Sequence, residues 1–242
     1  MEERTIMSKI IPEELKKYIP TVESLRSVVM RHRFFDLFNQ PALTTYTGGV
    51  QTARDITAIR NIHFPPLSQG EINVAPLGSN GSLVTGLLYL DGIYLAAKNE
   101  PVDYSWQPDV IERKAIHDGL EFTSKTILPF DMTAVQVNLE IHNTTGKKIQ
   151  KELKFAISGG ITCSVSPWDE ALAPGEFDNE FEVNEASGYV LYKSIHSSAF
   201  SVQGGWPKPD TLDASWLVYK LDLEPGESKV ITYTDVIGED RD

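Results

Sequence analysis

From about Tyr46 onward, apolar and polar residues alternate with a period of two. The clearest stretch is Val135-Gln136-Val137-Asn138-Leu139-Glu140-Ile141-His142, four apolar positions interleaved with four polar ones. Successive side chains of a strand point to opposite faces. The pattern therefore predicts a strand with Val135, Val137, Leu139 and Ile141 inward and one wet face. Asn143-Thr144-Thr145-Gly146 is turn chemistry, and Leu153, Phe155 and Ile157 give a returning strand its apolar face. Leu88-Tyr89-Leu90 and Ile93-Tyr94-Leu95 flank Asp91-Gly92, a pair that tolerates the positive φ of a type I′ hairpin turn. Further strands fit residues 120–128, 189–195, 199–203, 216–223 and 229–236, and Glu224-Pro225-Gly226-Glu227 reads as a turn. Trp216 lies in one of these apolar strands and is expected in the core. There is no βαβ alternation, internal repeat or low-complexity tract. Many strands joined by Gly- and Pro-rich turns predict an all-β, two-sheet antiparallel sandwich.

The start of the chain has a different period. Pro12 to Ile19 reads as a short helix with Pro in its first turn and acids near its N-terminus. Pro20 interrupts it. Thr21 then offers a cap for a second segment in which Leu25, Val28, Val29 and His32 follow helical spacing. The run 33–38 fits a continuing helix or a buried strand equally, and Pro41 ends it. Two regions follow: an N-terminal helical and extended segment, 1–45, and a β-sandwich, 46–242. Ile10, Ile11, Leu15, Tyr18, Ile19, Phe34, Phe35, Leu37 and Phe38 are too apolar for a free tail and are expected to cover a flank of the sandwich, in the same chain or in a second copy.

Composition narrows the partners. The 242 residues carry 22 Lys and Arg against 34 Asp and Glu, a formal charge of −12. Nucleic acid and anionic membrane both require a basic footprint, so neither is expected as a partner. One cysteine, Cys163, excludes an internal disulfide framework and a cysteine metal cluster. No apolar run approaches the roughly 20 residues that span a bilayer. Met1-Glu2-Glu3-Arg4 has acids where a secretory signal has bases, so a soluble cytoplasmic protein, or one trimmed of its signal, is expected.

Candidate chemistry centres on tryptophans in apparent loops. Trp106, in Tyr104-Ser105-Trp106-Gln107-Pro108, lies between two strand regions with Asp103 and Asp109 beside it. An exposed aromatic face covers the C–H face of a pyranose while nearby acids accept its hydroxyl protons. Trp168 and Trp206 repeat the loop pattern. The alternative for Trp106 is a ring that plugs the sandwich edge. His117 beside Asp118 could act as an acid or base, though a loop histidine is commoner. The seven acids between Asp169 and Glu185 lack EF-hand spacing and read as a solvated loop rather than a calcium site. No zinc spacing, G-x-S-x-G, P-loop or dinucleotide fingerprint occurs, so neither metal nor cofactor is expected.

A longer series of residues carries a family likeness. It runs Glu112-Arg113-Lys114, Asp118-Gly119-Leu120, then Thr126-Ile127-Leu128-Pro129-Phe130-Asp131. The alternating strand ending Ile141-His142-Asn143-Thr144-Thr145 follows, then Leu153-Lys154-Phe155 leading to Gly159-Gly160-Ile161. Leu223-Glu224-Pro225-Gly226-Glu227-Ser228 precedes the last strand and Ile237-Gly238-Glu239-Asp240. Over roughly residues 75 to 240 this resembles the N-terminal β-supersandwich of six-hairpin glycoside hydrolases of the α-glucosidase, trehalase and glycogen-debranching type. The resemblance implies a galactose mutarotase-like β-supersandwich. It also implies, as partner, an (α/α)6 barrel that carries the catalytic acid and base. A helical barrel does not fit in the remaining length, so the chain is expected to be a non-catalytic domain or stand-alone relative. Its role would be carbohydrate binding or packing on a catalytic barrel or a second copy. Trp106, Asp103, Trp168, Trp206 and His117 are the sugar-facing candidates, and no catalytic residue is assigned. Two alternatives stay open: a self-contained mutarotase-like epimerase, with His117 or His196 and an acid converging on a concave sheet face, and a pure carbohydrate-binding or interaction module.

Overall fold

The computed structural model describes residues 13–19, 21, 23–24, 28–36, 41–70, 84–163 and 179–239. In chain order its strands are β1 Val29–His32, β2 Ala42–Thr44, β3 Gly49–Thr52, β4 Ile59–Phe64, β5 Leu67–Gly70, β6 Leu87–Leu90 and β7 Ile93–Tyr94. There follow β8 Val102–Gln107, β9 Val110–His117, β10 Leu120–Ile127, β11 Ala134–Asn143, β12 Ile149–Ala156 and β13 Ile161–Cys163. The last are β14 Asn179–Asn184, β15 Tyr189–Ser194, β16 Ala199–Trp206, β17 Thr211–Leu212, β18 Trp216–Leu223 and β19 Ser228–Glu239. A four-residue helix, Glu13–Lys16, precedes them.

One layer is a nine-stranded sheet in the order β1-β8-β9-β10-β11-β19-β16-β15-β14. Facing it are two five-stranded sheets, β17-β18-β12-β6-β7 and β13-β5-β4-β3-β2. An antiparallel bridge between Ile59 and Thr85 joins the two smaller sheets. Every ladder is antiparallel, which yields the all-β supersandwich. The alternation in β11 sets its register: Val135, Val137, Leu139 and Ile141 are completely buried, against Ile231 and Tyr233 of β19 and Phe155 of β12 in one continuous core. Two tight hairpins carry Asp-Gly with both residues at positive φ, Asp91-Gly92 (49°, 77°) and Asp118-Gly119 (50°, 79°), as a type I′ turn requires.

Asn143-Thr144-Thr145-Gly146 does not return the chain beside β11. It carries the chain to the opposite layer, where β12 pairs with β18 and β6. The turn 224–227 makes the reverse crossing from β18 to β19. Asn143 binds both crossings. Its Nδ2 donates to the carbonyls of Lys147, Leu223 and Glu224 at 2.8, 3.1 and 3.1 Å. Its Oδ1 accepts from Thr145 N and Oγ1 at 2.9 and 2.7 Å. Its side chain is fully buried, so Asn143-Thr144-Thr145 is a structural corner. Asn143→Ala is expected to lower unfolding stability by about 2–3 kcal/mol, because several buried acceptors lose their donor at once. Urea unfolding of both proteins measures this. An unchanged midpoint would mean water replaces the amide without penalty.

Two expectations are corrected. The helical spacing of Val28, Val29 and His32 gives way to strand β1, which adds to the edge of the large sheet beside β8. β-branched valines favour a pleated edge over a short isolated helix. Thr21 does cap a turn, since its Oγ1 accepts from Ser24 N at 3.1 Å. Trp216 is not core: Leu217, Tyr219, Leu221 and Leu223 take the inward positions of β18, so parity turns Trp216 to the outer face, where Tyr89 meets it edge-on at 5.0 Å. The N-terminal apolar residues are not uniformly packed. Leu15, Tyr18, Ile19 and Phe35 are exposed in the single chain, while Phe34 lies edge-on to Tyr94 at 5.7 Å. Ile10, Ile11, Leu37 and Phe38 lie outside the described residues. Strands β1 and β2 fall within the first 45 residues, and each pairs with a strand of the sandwich.

The segment between β3 and β4 enters the core: Asp55, Ile56, Thr57 and Ala58 are all buried. Buried loops carry backbone groups that must find partners. Side chains of the large sheet supply them. Tyr104 OH donates to Ala53 O and Asp55 O, Arg113 Nη1 to Asp55 O and Ala58 O, and Ser124 Oγ to Ile56 O.

Candidate functional site

The nine-stranded sheet buries one face against the smaller sheets. On its other face the register aligns Ser105, Glu112, Lys125, Asn138, Thr232 and Trp206 in one row across six strands. A neighbouring row holds Gln136, Thr234, Gly204 and Tyr189. Asn138 Oδ1 accepts from Gln136 Nε2 at 3.0 Å and from Thr232 Oγ1 at 2.9 Å. With that oxygen committed, Asn138 Nδ2 remains a donor without a partner among the described residues. Trp206 ends β16 with its side chain 76% exposed, and its ring makes no aromatic contact or hydrogen bond among the described residues. Gly204, two residues earlier on the same face, lets Tyr189 of β15 approach closely: a Cβ there would meet Gly188 O at 2.9 Å and Tyr189 Cβ at 3.2 Å. Further along, Glu112 lies between Lys114 at 2.9 Å and Lys125 at 3.7 Å. Exposed pairs of this kind add little stability.

The five sugar-facing candidates are placed apart. Trp106 does not sit in a loop but in strand β8, opposite the buried Ile111. Its parity is inward, and Nε1 donates to Ala42 O at 2.9 Å across to the edge strand β2. Asp103, three residues earlier, points to the opposite face and forms a two-pronged pair with Arg31 at 2.6 and 2.7 Å. That hydrogen bond holds its carboxyl below the usual range. Residues three apart on a strand cannot share a face, so Asp103 and Trp106 do not form one site. Asp103 and Trp206 do share the open face, but five strand spacings, about 24 Å along the sheet, separate them. His117 faces inward, buried, with Nδ1 unpartnered and its ring edge toward Phe122. Burial lowers its pKa, while Asp118 turns away to Lys98 Nζ at 2.7 Å. His196 is exposed in the turn after β15. Trp168 lies outside the described residues. Among the described residues no three His, Cys, Asp or Glu side chains converge as a metal site requires.

Gln136, Asn138, Thr232 and Thr234 were legible only as the wet face of alternating strands. Their alignment with Trp206 depends on β11 and β16 both pairing with β19, which no local spacing shows.

No protein-family model matches the chain, and no curated protein matches it in sequence. Among solved structures, a protein of Escherichia coli K12 assigned as an aldose 1-epimerase is similar over 88% of this chain and 100% of its own, with a TM-score of 0.52 and 9% identity. A chain from the human microbiome assigned as a kojibiose phosphorylase is similar over 92% of this chain, with a TM-score of 0.50 and 13% identity. This chain spans 32% of that second one. At such identities the likeness is one of fold, and the fold is the galactose mutarotase-like β-supersandwich.

Proposed function

We propose that this chain is a carbohydrate-binding β-supersandwich of the kind attached to carbohydrate-active enzymes, non-catalytic by itself, with the open face of the nine-stranded sheet as its sugar platform. The observation that carries this reading is Trp206, a bare exposed ring in register with Thr232 and Asn138. A flat aromatic surface beside neutral hydrogen-bonding groups matches the two faces of a pyranose. The names carried by the two similar structures, an aldose 1-epimerase and a kojibiose phosphorylase, support a carbohydrate role. An (α/α)6 catalytic domain or a second copy of the chain is the proposed protein partner, and the cytoplasm the proposed location. No helix among the described residues is long and apolar enough to cross a membrane.

Titration calorimetry with maltose and kojibiose tests the platform. Trp206→Ala is expected to weaken binding by about 1–3 kcal/mol, the loss of one stacking ring. Being exposed, the position tolerates the change without unfolding. Equal affinity in both proteins, or no binding in the parent, would refute the platform.

The full coverage of the epimerase-assigned chain favours a second reading, a self-contained epimerase. On the open face His142 is the cross-strand partner of Glu121, and its Nδ1 lies 3.0 Å from Ser228 Oγ. An imidazole and a carboxylate on one surface are the groups ring opening needs. Optical rotation of fresh α-D-galactose separates the readings: acceleration by the parent that His142→Ala abolishes would establish the epimerase.

A further inference from the structure

A second surface lies on the other layer. The outer face of the sheet β13-β5-β4-β3-β2 carries a groove of about 560 Å³, bounded at one end by the turn between β2 and β3. Register builds its floor from two rows: Thr44, Gly49 and His63 in one, and Ala42, Gln51 and Asn61 in the other. Gly49 keeps the floor low beside Thr44, since a side chain there would meet Leu43 O at 3.0 Å and Thr44 Cγ2 at 3.2 Å. Leu43 and Val50 point the other way, into the core, and hold the hairpin in place.

The lining is chemically selective. Lys, Arg, Asp and Glu make up 23% of the sequence, yet none among the described residues lines this groove. The polar groups are the carboxamides of Gln51 and Asn61, joined at 3.3 Å, the threonine hydroxyls, and the His63 imidazole. His63 Nδ1 is engaged by Ser68 Oγ at 2.7 Å, which fixes the ring and leaves Nε2 without a partner among the described residues. Burial lowers the His63 pKa, so the ring is neutral near pH 7. Carboxamides and a neutral imidazole both donate and accept, the requirement for reading hydroxyl groups. At the rim, Tyr46 is largely exposed, with its ring 5.2 Å from that of Phe130. Pockets that hold small ligands run from about 300 to 1,000 Å³, which suits one or two sugar rings here.

We propose that this groove binds a neutral mono- or disaccharide, with Gln51, Asn61 and His63 contacting its hydroxyl groups and Tyr46 closing over one end. The site is on a different sheet from Trp206 and does not rest on the open-face reading. It gives the chain a second sugar contact facing away from the first.

The test follows the side-chain amide signals of Gln51 and Asn61 in the ¹⁵N-labelled full chain. D-glucose, maltose and D-glucuronate are titrated to about 50 mM, above the millimolar Kd of a shallow site. Saturable shifts of both amides are expected with glucose or maltose and not with glucuronate. Asn61→Leu is expected to weaken binding about tenfold, the loss of one hydrogen-bonding group. Should Asn61→Leu fold poorly, Tyr46→Ala, at an exposed turn, is expected to weaken binding in a chain of unchanged stability. Trp206→Ala is expected to leave these shifts intact, which separates this groove from the open face. Absence of saturable shifts in the parent would overturn the proposal. So would equal binding of glucuronate, or loss of the shifts in Trp206→Ala.

Discussion

Arg113→Met is expected to lower unfolding stability by about 3–5 kcal/mol, the loss typical of breaking a buried ion pair by removing one member. Arg113 has no exposure at all. It donates from Nη2 to Thr126 Oγ1 at 2.8 Å and from Nη1 to Asp55 O and Ala58 O at 3.2 and 3.0 Å. Its Nη1 also lies 3.7 Å from Asp55 Oδ1. Asp55 is itself buried, accepting from Ala58 N at 2.6 Å and Thr57 N at 3.2 Å. Burial raises the Asp55 pKa, with the Arg113 charge opposing. Removing Arg113 leaves a buried carboxylate and two loop carbonyls without their cation, so the loop 53–58 is expected to open first. Asp55→Asn alone should be destabilising, but the double variant Arg113→Met/Asp55→Asn should lose less than the sum of the two. Urea unfolding of the four proteins at one pH gives the coupling. A single Arg113→Met chain as stable as the parent would show that the guanidinium is dispensable to the core.

That loop marks a boundary between what the sequence discloses and what it conceals. Arg113 sits at an inward position of β9, between Ile111 and Ala115, where alternation asks for an apolar side chain. Its reason is a loop some 55 residues earlier, reached only once β3, β4 and β9 are assembled. The alternation of Val135 to Ile141 is local and survives assembly unchanged, as do the Asp-Gly hairpins, because their cause lies within a few residues. Asn143 shows the opposite case. Its turn chemistry is local, but whether a turn folds back or crosses layers is decided by which strands accept the chain afterwards. Asp103 and Trp106 show a third. Read as a loop, the pair plausibly faced one ligand; placed on strand β8, their spacing of three sends them to opposite faces. Trp206 remained an accessible ring in either reading because it stands at a strand end, where no partner row covers it. The groove beneath Tyr46 had no signal in the sequence, since Gln51, Asn61 and His63 converge through the pairing of β3 with β4.

Asp235, a buried carboxyl, is expected to cost the chain stability as pH rises from about 4 to 8. It faces inward from β19 with no exposure. Oδ1 accepts from Ser201 Oγ at 2.8 Å, and Oδ2 has no partner. Around it lie Gln69 and Gln203, with Val135 and Gln203 as its strand partners. Tyr192 of β15 and Tyr233 of β19 are the titratable groups that feel its charge, and burial raises the pKa of both, so neither ionises in this range. Among the described residues no cation offsets its charge. Burial therefore pushes the Asp235 pKa up to about 7 from 3.8, against the pull of the Ser201 hydrogen bond and the nearby Gln69 amide. A folded value above the unfolded one means that the bound proton stabilises the fold. That stabilisation is complete below pH 3.8 and is lost as pH rises through about 7. The full difference is on the order of 4 kcal/mol. Burial raises the Asp55 pKa as well, a slope of the same sign, while the lowered pKa values of Asp91, Asp103, Asp118 and Asp222 and of His32, His63 and His117 give the opposite slope, so the total curve alone does not isolate Asp235. The difference from Asp235→Asn does, because those groups cancel. The amide mimics the protonated acid in shape and charge. Parent and variant are expected to unfold at similar urea concentrations near pH 4 and to diverge steadily above it, with the variant the more stable at pH 8. Parallel curves over that range would mean that Asp235 is ionised in the fold and that water or an ion reaches Oδ2.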